Sequence, residues 1–254
     1  MQHRNYGFLL SNLILRDFRI RYRNMSLGVF WSLLNPLVMM GVLTFIFTRI
    51  YPSMSRPDFH VFVLCGIIPF NFFALAWSSG TTSVYSNAAL VKRVVLPREV
   101  VPISTVLANC IHFVIQIALL LAIALAAGYQ INRYWTLLPA VFALEVVFVC
   151  GLSMVTSALD VYFRDVRYVI ESANTVLFWL VPIFYSFSDV SPRFHPLYQY
   201  NPVAAVVLAA RNIIYEAKAP PPALLYKLLV VSALALAAGF AVFGKLKRKF
   251  ADYL

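Results

Sequence analysis

Six times between residues 27 and 244 the sequence runs apolar for long enough, or nearly so, to cross a lipid bilayer, and this repetition limits the fold more than any motif does. The runs are 27–48, 61–79, 103–127, 135–159, a shorter 169–187, and 223–244. A helix of about 20 residues, rising 1.5 Å each, spans a hydrocarbon core of ~30 Å. No water reaches a backbone at that depth, so each run must satisfy its own hydrogen bonds and is expected to be helical. With 61% hydrophobic and 12% charged residues, the chain is too apolar for a soluble domain of 254 residues. The expected fold is an all-α integral membrane protein of six transmembrane helices, one membrane domain over 1–254.

The net charge of +11 would suit nucleic acid, but the basic residues sit beside apolar runs. Anionic headgroups and the positive-inside rule account for that placement, so no nucleic-acid partner is expected. Of the 21 Lys and Arg, fourteen fall at the N-terminus, in the second-to-third and fourth-to-fifth turns and in the tail, against seven elsewhere. Both termini are therefore expected to be cytoplasmic. The start lacks a short apolar core followed by a small-residue cleavage site, so no removable signal peptide is expected. Cys65, Cys110 and Cys150 lie inside apolar runs without metal-ligand spacing and read as small core residues.

Ahead of the first run, 6–24 reads as an amphipathic interface helix. Asn12, Arg16, Arg19 and Arg23 share one narrow helical face, apolar residues cover most of the rest, and Asp17 is spaced to pair with Arg21. Such a helix lies in a membrane interface with its guanidinium groups toward phosphate or a soluble partner. Ordinary positive-inside flanking is the alternative, but it requires charge on no particular helical face and leaves the alignment of the stripe unexplained. Asn35 and Pro36 follow within the first run, where proline removes a backbone hydrogen bond; a functional bend and a tolerated proline are both open. The run SSGTTS (78–83) allows close helix packing or a wet path.

The turn NAALVKRVVLPREVVP (87–102) carries Lys92, Arg93, Arg98 and Glu99 between prolines and has room for a small helix. A second basic turn, DVYFRDVRY (160–168), holds Arg164 and Asp165. Residues 188–222 are rich in proline and contain one apolar piece too short to span, a pattern expected for a pair of short re-entrant or interfacial helices on the outer face. Glu145, in the fourth run, must face the interior, pair or stay protonated; a functional carboxyl and a hydrogen-bonded structural one are both open.

Enzyme chemistry finds little support. The four histidines are scattered, GLSMV around Ser153 lacks the second glycine of a nucleophile elbow, and no Gly-rich phosphate loop with a following Lys occurs. The chain is expected to bind neither cofactor nor metal and to hydrolyse no ATP unaided. What stands out is 21 Phe and 14 Tyr: such rings can line a path for sugars, or simply face lipid and the two interfaces.

Five segments in order, LILRDFRIRYRNMSLGVFWSLLNP (13–36), VKRVVLPREVVPIS (91–104), YFRDVRYVIE (162–171), YQYNPVAAVVLAARNIIY (198–215) and KRKFADYL (247–254), resemble the membrane subunits of type-2 ABC exporters of lipid-linked polysaccharides. These are the export permeases of O-antigen, capsular polysaccharide and teichoic acid in the bacterial inner membrane. The resemblance implies a homodimeric pore for a lipid-linked glycan and a separate ABC ATPase subunit that binds ATP and Mg. It makes Asn12, Arg16, Arg19, Arg23, Lys92, Arg93, Arg98, Glu99, Arg164 and Asp165 candidates for ATPase docking. Phe30, Trp31, Phe70, Phe73 and Trp77 become candidate channel residues, and 188–222, with Tyr198, Tyr200, Asn201 and Pro202, a candidate outer gate. Export of a drug or small lipid, or a membrane-embedded enzyme acting on lipid-linked sugar, are the alternatives.

Overall fold

The computed structural model describes residues 6–22, 30–51, 56–93 and 97–253, and all regular structure among them is helical. In chain order the helices are α1 Tyr6–Tyr22, α2 Phe30–Phe45, α3 Phe59–Ser86, α4 Ala88–Arg93, α5 Val100–Ala126, α6 Leu138–Tyr162, α7 Val166–Leu180, α8 His195–Tyr200, α9 Pro202–Ile214, α10 Pro222–Leu246 and α11 Phe250–Tyr253. A π-helical turn Ile46–Ile50 extends α2, and a 3-10 turn Arg133–Leu137 leads into α6. Among the described residues five helical units are long and apolar enough to cross a membrane: Phe30–Ile50, Phe59–Ser86, Val100–Ala126, Arg133–Tyr162 and Pro222–Lys249.

The run SSGTTS continues α3 instead of ending it. Thr81 donates to the Trp77 carbonyl at 2.8 Å and Ser83 to the Gly80 carbonyl at 2.6 Å, so the hydroxyls are satisfied by the helix that carries them. Thr81 also meets Thr156 of α6 at 2.7 Å, which makes the run a packing face. Pro36 sits inside α2 and is its one buried residue.

The fifth expected span, 169–187, differs. Helix α7 has 15 residues, about 22 Å, short of a hydrocarbon core. It stops because Pro182 disfavours helical geometry at Val181, whose φ −81° and ψ 135° are extended. The unwound segment packs on α3 at Gly66, where an added Cβ would lie 3.0 Å from the Ile183 Cα. Beyond it the proline-rich stretch does hold two short helices, α8 and α9. Asn201 caps α9 by accepting from the Val203 N–H at 3.0 Å, with Pro202 in the first turn. Helix α9 is buried against α3, α6 and α10.

The bundle has two chemically distinct ends. At one, Arg16 reaches Asn87 at 2.7 Å, the Tyr162 hydroxyl reaches the Leu246 carbonyl at 2.8 Å, and Lys247 pairs with Glu99 at 3.1 Å. At the other, Tyr215 donates to the Pro57 carbonyl at 2.7 Å, Asn132 to the Ile213 carbonyl at 3.0 Å, and Arg56 pairs with Asp189 at 2.8 Å. Partial burial pushes the Asp189 carboxyl up, but bonds from Arg56 and the Ser186 N–H outweigh it and hold the carboxyl below its usual range. A lowered folded value gives stability that is present above the unfolded carboxyl value, about 3.9, and is lost as pH falls through the folded one. Asp189→Asn is therefore expected to lower the thermal midpoint at pH 7 by a small amount, since the pair is exposed, and the difference from the parent should shrink progressively as pH falls below about 3.9. Equal midpoints at pH 7 would show that the pair contributes nothing.

Candidate functional site

A groove of about 810 Å³ opens between α2, α3, α5 and α7. On α3 and α5 its lining residues, Asn71 to Ser78 and Asn109 to Gln116, sit near mid-length, where a membrane helix is expected to present apolar side chains. Instead Asn35 of α2, Asn71 of α3, Asn109 and Gln116 of α5, and Asn174 of α7 bring carboxamides to one space, with Trp31 and Phe72 beside them. Several are fixed. Gln116 donates to the Ser32 carbonyl at 2.8 Å, tying α5 to α2. Asn109 bonds Ser79 at 3.0 Å and the Thr105 carbonyl at 2.8 Å. Asn174 bonds Ser78 at 3.0 Å, which draws α7 onto α3. Phe72 stacks on Phe113 with ring centroids 4.2 Å apart, and His112 stacks on Phe18 of α1 at 5.4 Å.

Of the five candidate channel aromatics only Trp31 lines this groove; it is 51% exposed, beside an exposed Phe30. Phe70, Phe73 and Trp77 point into the core, where Phe70 meets Phe178 at 5.5 Å and Phe73 meets Trp77 at 5.3 Å. Helix α3 is buried on nearly every side, and its groove face carries Asn71, Ala74, Leu75 and Ser78.

The docking candidates divide by where their charge goes. Asn12, Arg19, Lys92, Arg164 and Asp165 are exposed. Arg16 turns inward, to Asp17 and Asn87, both at 2.7 Å, while Thr105 of α5 donates to Asp17 at 3.1 Å; this network seats α1 on the bundle. The expected Asp17–Arg21 pair falls on an Arg21 side chain outside the described residues, as do Arg23 and the Arg93 side chain. Arg98 donates to the Lys247 carbonyl and lies 6.0 Å from the Phe250 ring, and Glu99 holds Lys247. Those two residues clasp the C-terminal segment of their own chain. Arg164 lies 4.8 Å from the Tyr85 ring.

At the far end, the Tyr198 hydroxyl meets that of Tyr185 at 3.0 Å, Asn201 and Pro202 start α9, and Tyr200 is exposed with Lys227 4.5 Å from its ring. Below them Arg211 is buried, its guanidinium 3.6 Å from the Phe62 ring centroid.

The sequence model of the ABC-2 type transporter family matches residues 9–215, which takes in most of α1, the groove and α9. The chain belongs to the ABC-2 type transporter family. It is 28% identical over 258 residues to the O-antigen export system permease protein RfbA of Klebsiella pneumoniae, covering 98% of this chain and 97% of that protein. It is 29% identical to the RfbA of Myxococcus xanthus over 97% and 95% of the two chains. The polysialic acid transport protein KpsM of Escherichia coli is 25% identical over 80% of this chain and 79% of its own.

Sequence reasoning missed the amide groove and Arg211 in this ABC-2 chain. A signal for the first existed: Asn71 and Ser78, like Asn109 and Gln116, are spaced seven apart, two helical turns, so each pair shares a face. Arg211 stood out as a single charge within an apolar piece. Glu145 does face the interior, at 1% exposure, and neither carboxylate oxygen meets a hydrogen-bond donor among the described residues.

Proposed function

We infer that this chain is the membrane-spanning subunit of an ATP-driven exporter that moves a lipid-linked polysaccharide across the bacterial inner membrane. The observation that carries this reading is the polar groove cut into apolar helices and open on one side. Two copies, related by a two-fold axis, bring two grooves together into a pore whose walls combine carboxamides with Trp31 and Phe72. Exposed apolar residues flank the groove on α2, Val38, Val42 and Phe45, and on α7, Val169, Val176 and Trp179; lipid or the second copy covers them. The chain crosses the membrane six times, the fifth crossing being α7 with its unwound continuation, so both termini lie on the cytoplasmic side as parts of a single membrane domain.

The ATPase binds the basic end. Arg19, Lys92 and Arg164, exposed there, make the contact, while Arg16, Arg98 and Glu99 hold α1 and the tail in place behind it. ATP and Mg reside in that partner, and its closure moves α1 and through it α2 and α5. The diphosphate of the lipid anchor is drawn to the arginines of the same end. At the opposite end α8 and α9, with Tyr198, Tyr200, Asn201 and Pro202, form the gate.

Reconstitution with the ATPase subunit and a polyprenyl-diphosphate-linked glycan is expected to give ATP-dependent translocation. Reversing Arg19, Lys92 and Arg164 to Glu should reduce ATPase recovery in co-purification about tenfold, because three exposed pairs at roughly 0.5 kcal/mol each sum to a tenfold change. Undiminished recovery and transport in the triple variant sinks the docking assignment, and translocation without ATP sinks the exporter reading.

A further inference from the structure

The groove is distinctive in charge as well as polarity. A carboxamide supplies two N–H donors and a carbonyl acceptor, which suits hydroxyl groups that donate and accept at once. Five such groups face this space, and the Asn174 carbonyl oxygen is buried there without a hydrogen-bond partner among the described residues. Trp31 adds a flat ring against which the apolar face of a sugar can lie. Among the described lining residues Glu171 is the sole Asp, Glu, Lys or Arg. His112, the one group among the described lining residues able to become cationic, is buried and stacked on Phe18.

We propose that this groove selects an uncharged, hydroxyl-rich glycan and rejects a polyanionic one. The inference rests on the export reading above and adds to it the charge class of the cargo. A carboxylate in every repeat would enter a space between apolar helices where the described lining residues include no Lys or Arg to pair it, and where Glu171 repels it. Pairing two copies doubles that repulsion. A neutral glycan exchanges its water for carboxamides and keeps its hydrogen bonds. The anchor's diphosphate stays outside this argument, because it engages the basic end.

Inside-out proteoliposomes holding the permease and its ATPase partner test this with two substrates of equal length on the same polyprenyl diphosphate: a mannan, and a polymer with glucuronate in each repeat. The mannan should enter the lumen at least about tenfold faster in the presence of ATP, a factor within what like-charge juxtaposition costs at a contact surface. Glu171→Gln should cut that preference to about threefold, and combining it with Thr175→Lys, on an exposed position one turn away, should bring the ratio to about one or below. Equal rates for the two substrates in the parent protein, or a preference that neither variant moves, would overturn the charge inference and leave the export reading intact. Failure of both substrates to move would overturn the export reading, and the inference with it.

Discussion

Replacing Arg211 by methionine is expected to lower the thermal midpoint of the purified protein by about 10 °C and to cut its accumulation in the membrane. The reason lies in the backbone it serves. Pro182 ends α7, so residues 181–186 leave the helix and their carbonyls lose their regular donors. Arg211 replaces those donors: its guanidinium bonds the Ile183 carbonyl, the Tyr185 carbonyl at 3.1 Å and the Phe62 carbonyl of α3 at 3.4 Å. It thereby joins α9, α3 and the unwound segment. Methionine fills much of the volume but leaves these acceptors bare, at about 1–3 kcal/mol for each buried group that finds no other partner. A net loss of about 3 kcal/mol shifts the midpoint of a chain this size by roughly 6–12 °C. Arg211→Lys should recover only part of the loss, since an ammonium lacks the planar fork that reaches several carbonyls together. An Arg211→Met protein that melts with the parent would show that the unwound segment is held by packing alone.

The same segment marks the boundary of what the sequence made legible. Long apolar runs are self-sufficient, because a helix in lipid meets its backbone needs locally, and the five long spans were readable for that reason. Helix α7 is not self-sufficient. It carries Glu171, Asn174 and Thr175 to the groove, so its composition falls below that of a span while its position is set by neighbours. On α3 the groove was hidden for another reason. Buried on nearly every side, α3 reports its groove face only through Asn71 and Ser78, two polar positions on a helix whose aromatics fill the core. Arg98 and Glu99 became docking candidates through the resemblance of their turn to the exporter subunits. Within the chain both reach Lys247, almost 150 residues away in sequence, and no local pattern announces a contact at that separation.

Gly151→Val should be the most damaging single substitution outside the groove, abolishing accumulation of the folded protein. Helices α6 and α10 touch backbone to backbone at this point: an added Cβ on Gly151 would lie 2.4 Å from the Ala235 carbonyl carbon and 2.5 Å from the Leu236 nitrogen. Neither atom can rotate away, so even alanine must push the helices apart. Small residues at membrane-helix crossings allow such close approach, and van der Waals contact there stands in for the hydrophobic drive that lipid does not supply. The displacement reaches beyond the crossing. Gly239 of α10 faces the Gly151 carbonyl, Ser232 donates to the Leu144 carbonyl at 3.0 Å, and the basic end relies on the same pair of helices through Tyr162 and Leu246. Overpacking commonly costs about 1–3 kcal/mol, and alanine is expected at the upper end because backbone is what it strikes. Gly244→Ala in the same helix α10 meets nothing within 4 Å and should accumulate like the parent. Membrane levels and thermal midpoints of the three variants decide the matter: if Gly151→Ala and Gly244→Ala behave alike, the helices are free to slide, and the α6–α10 contact is no rigid link between the bundle and the clasped C-terminal segment.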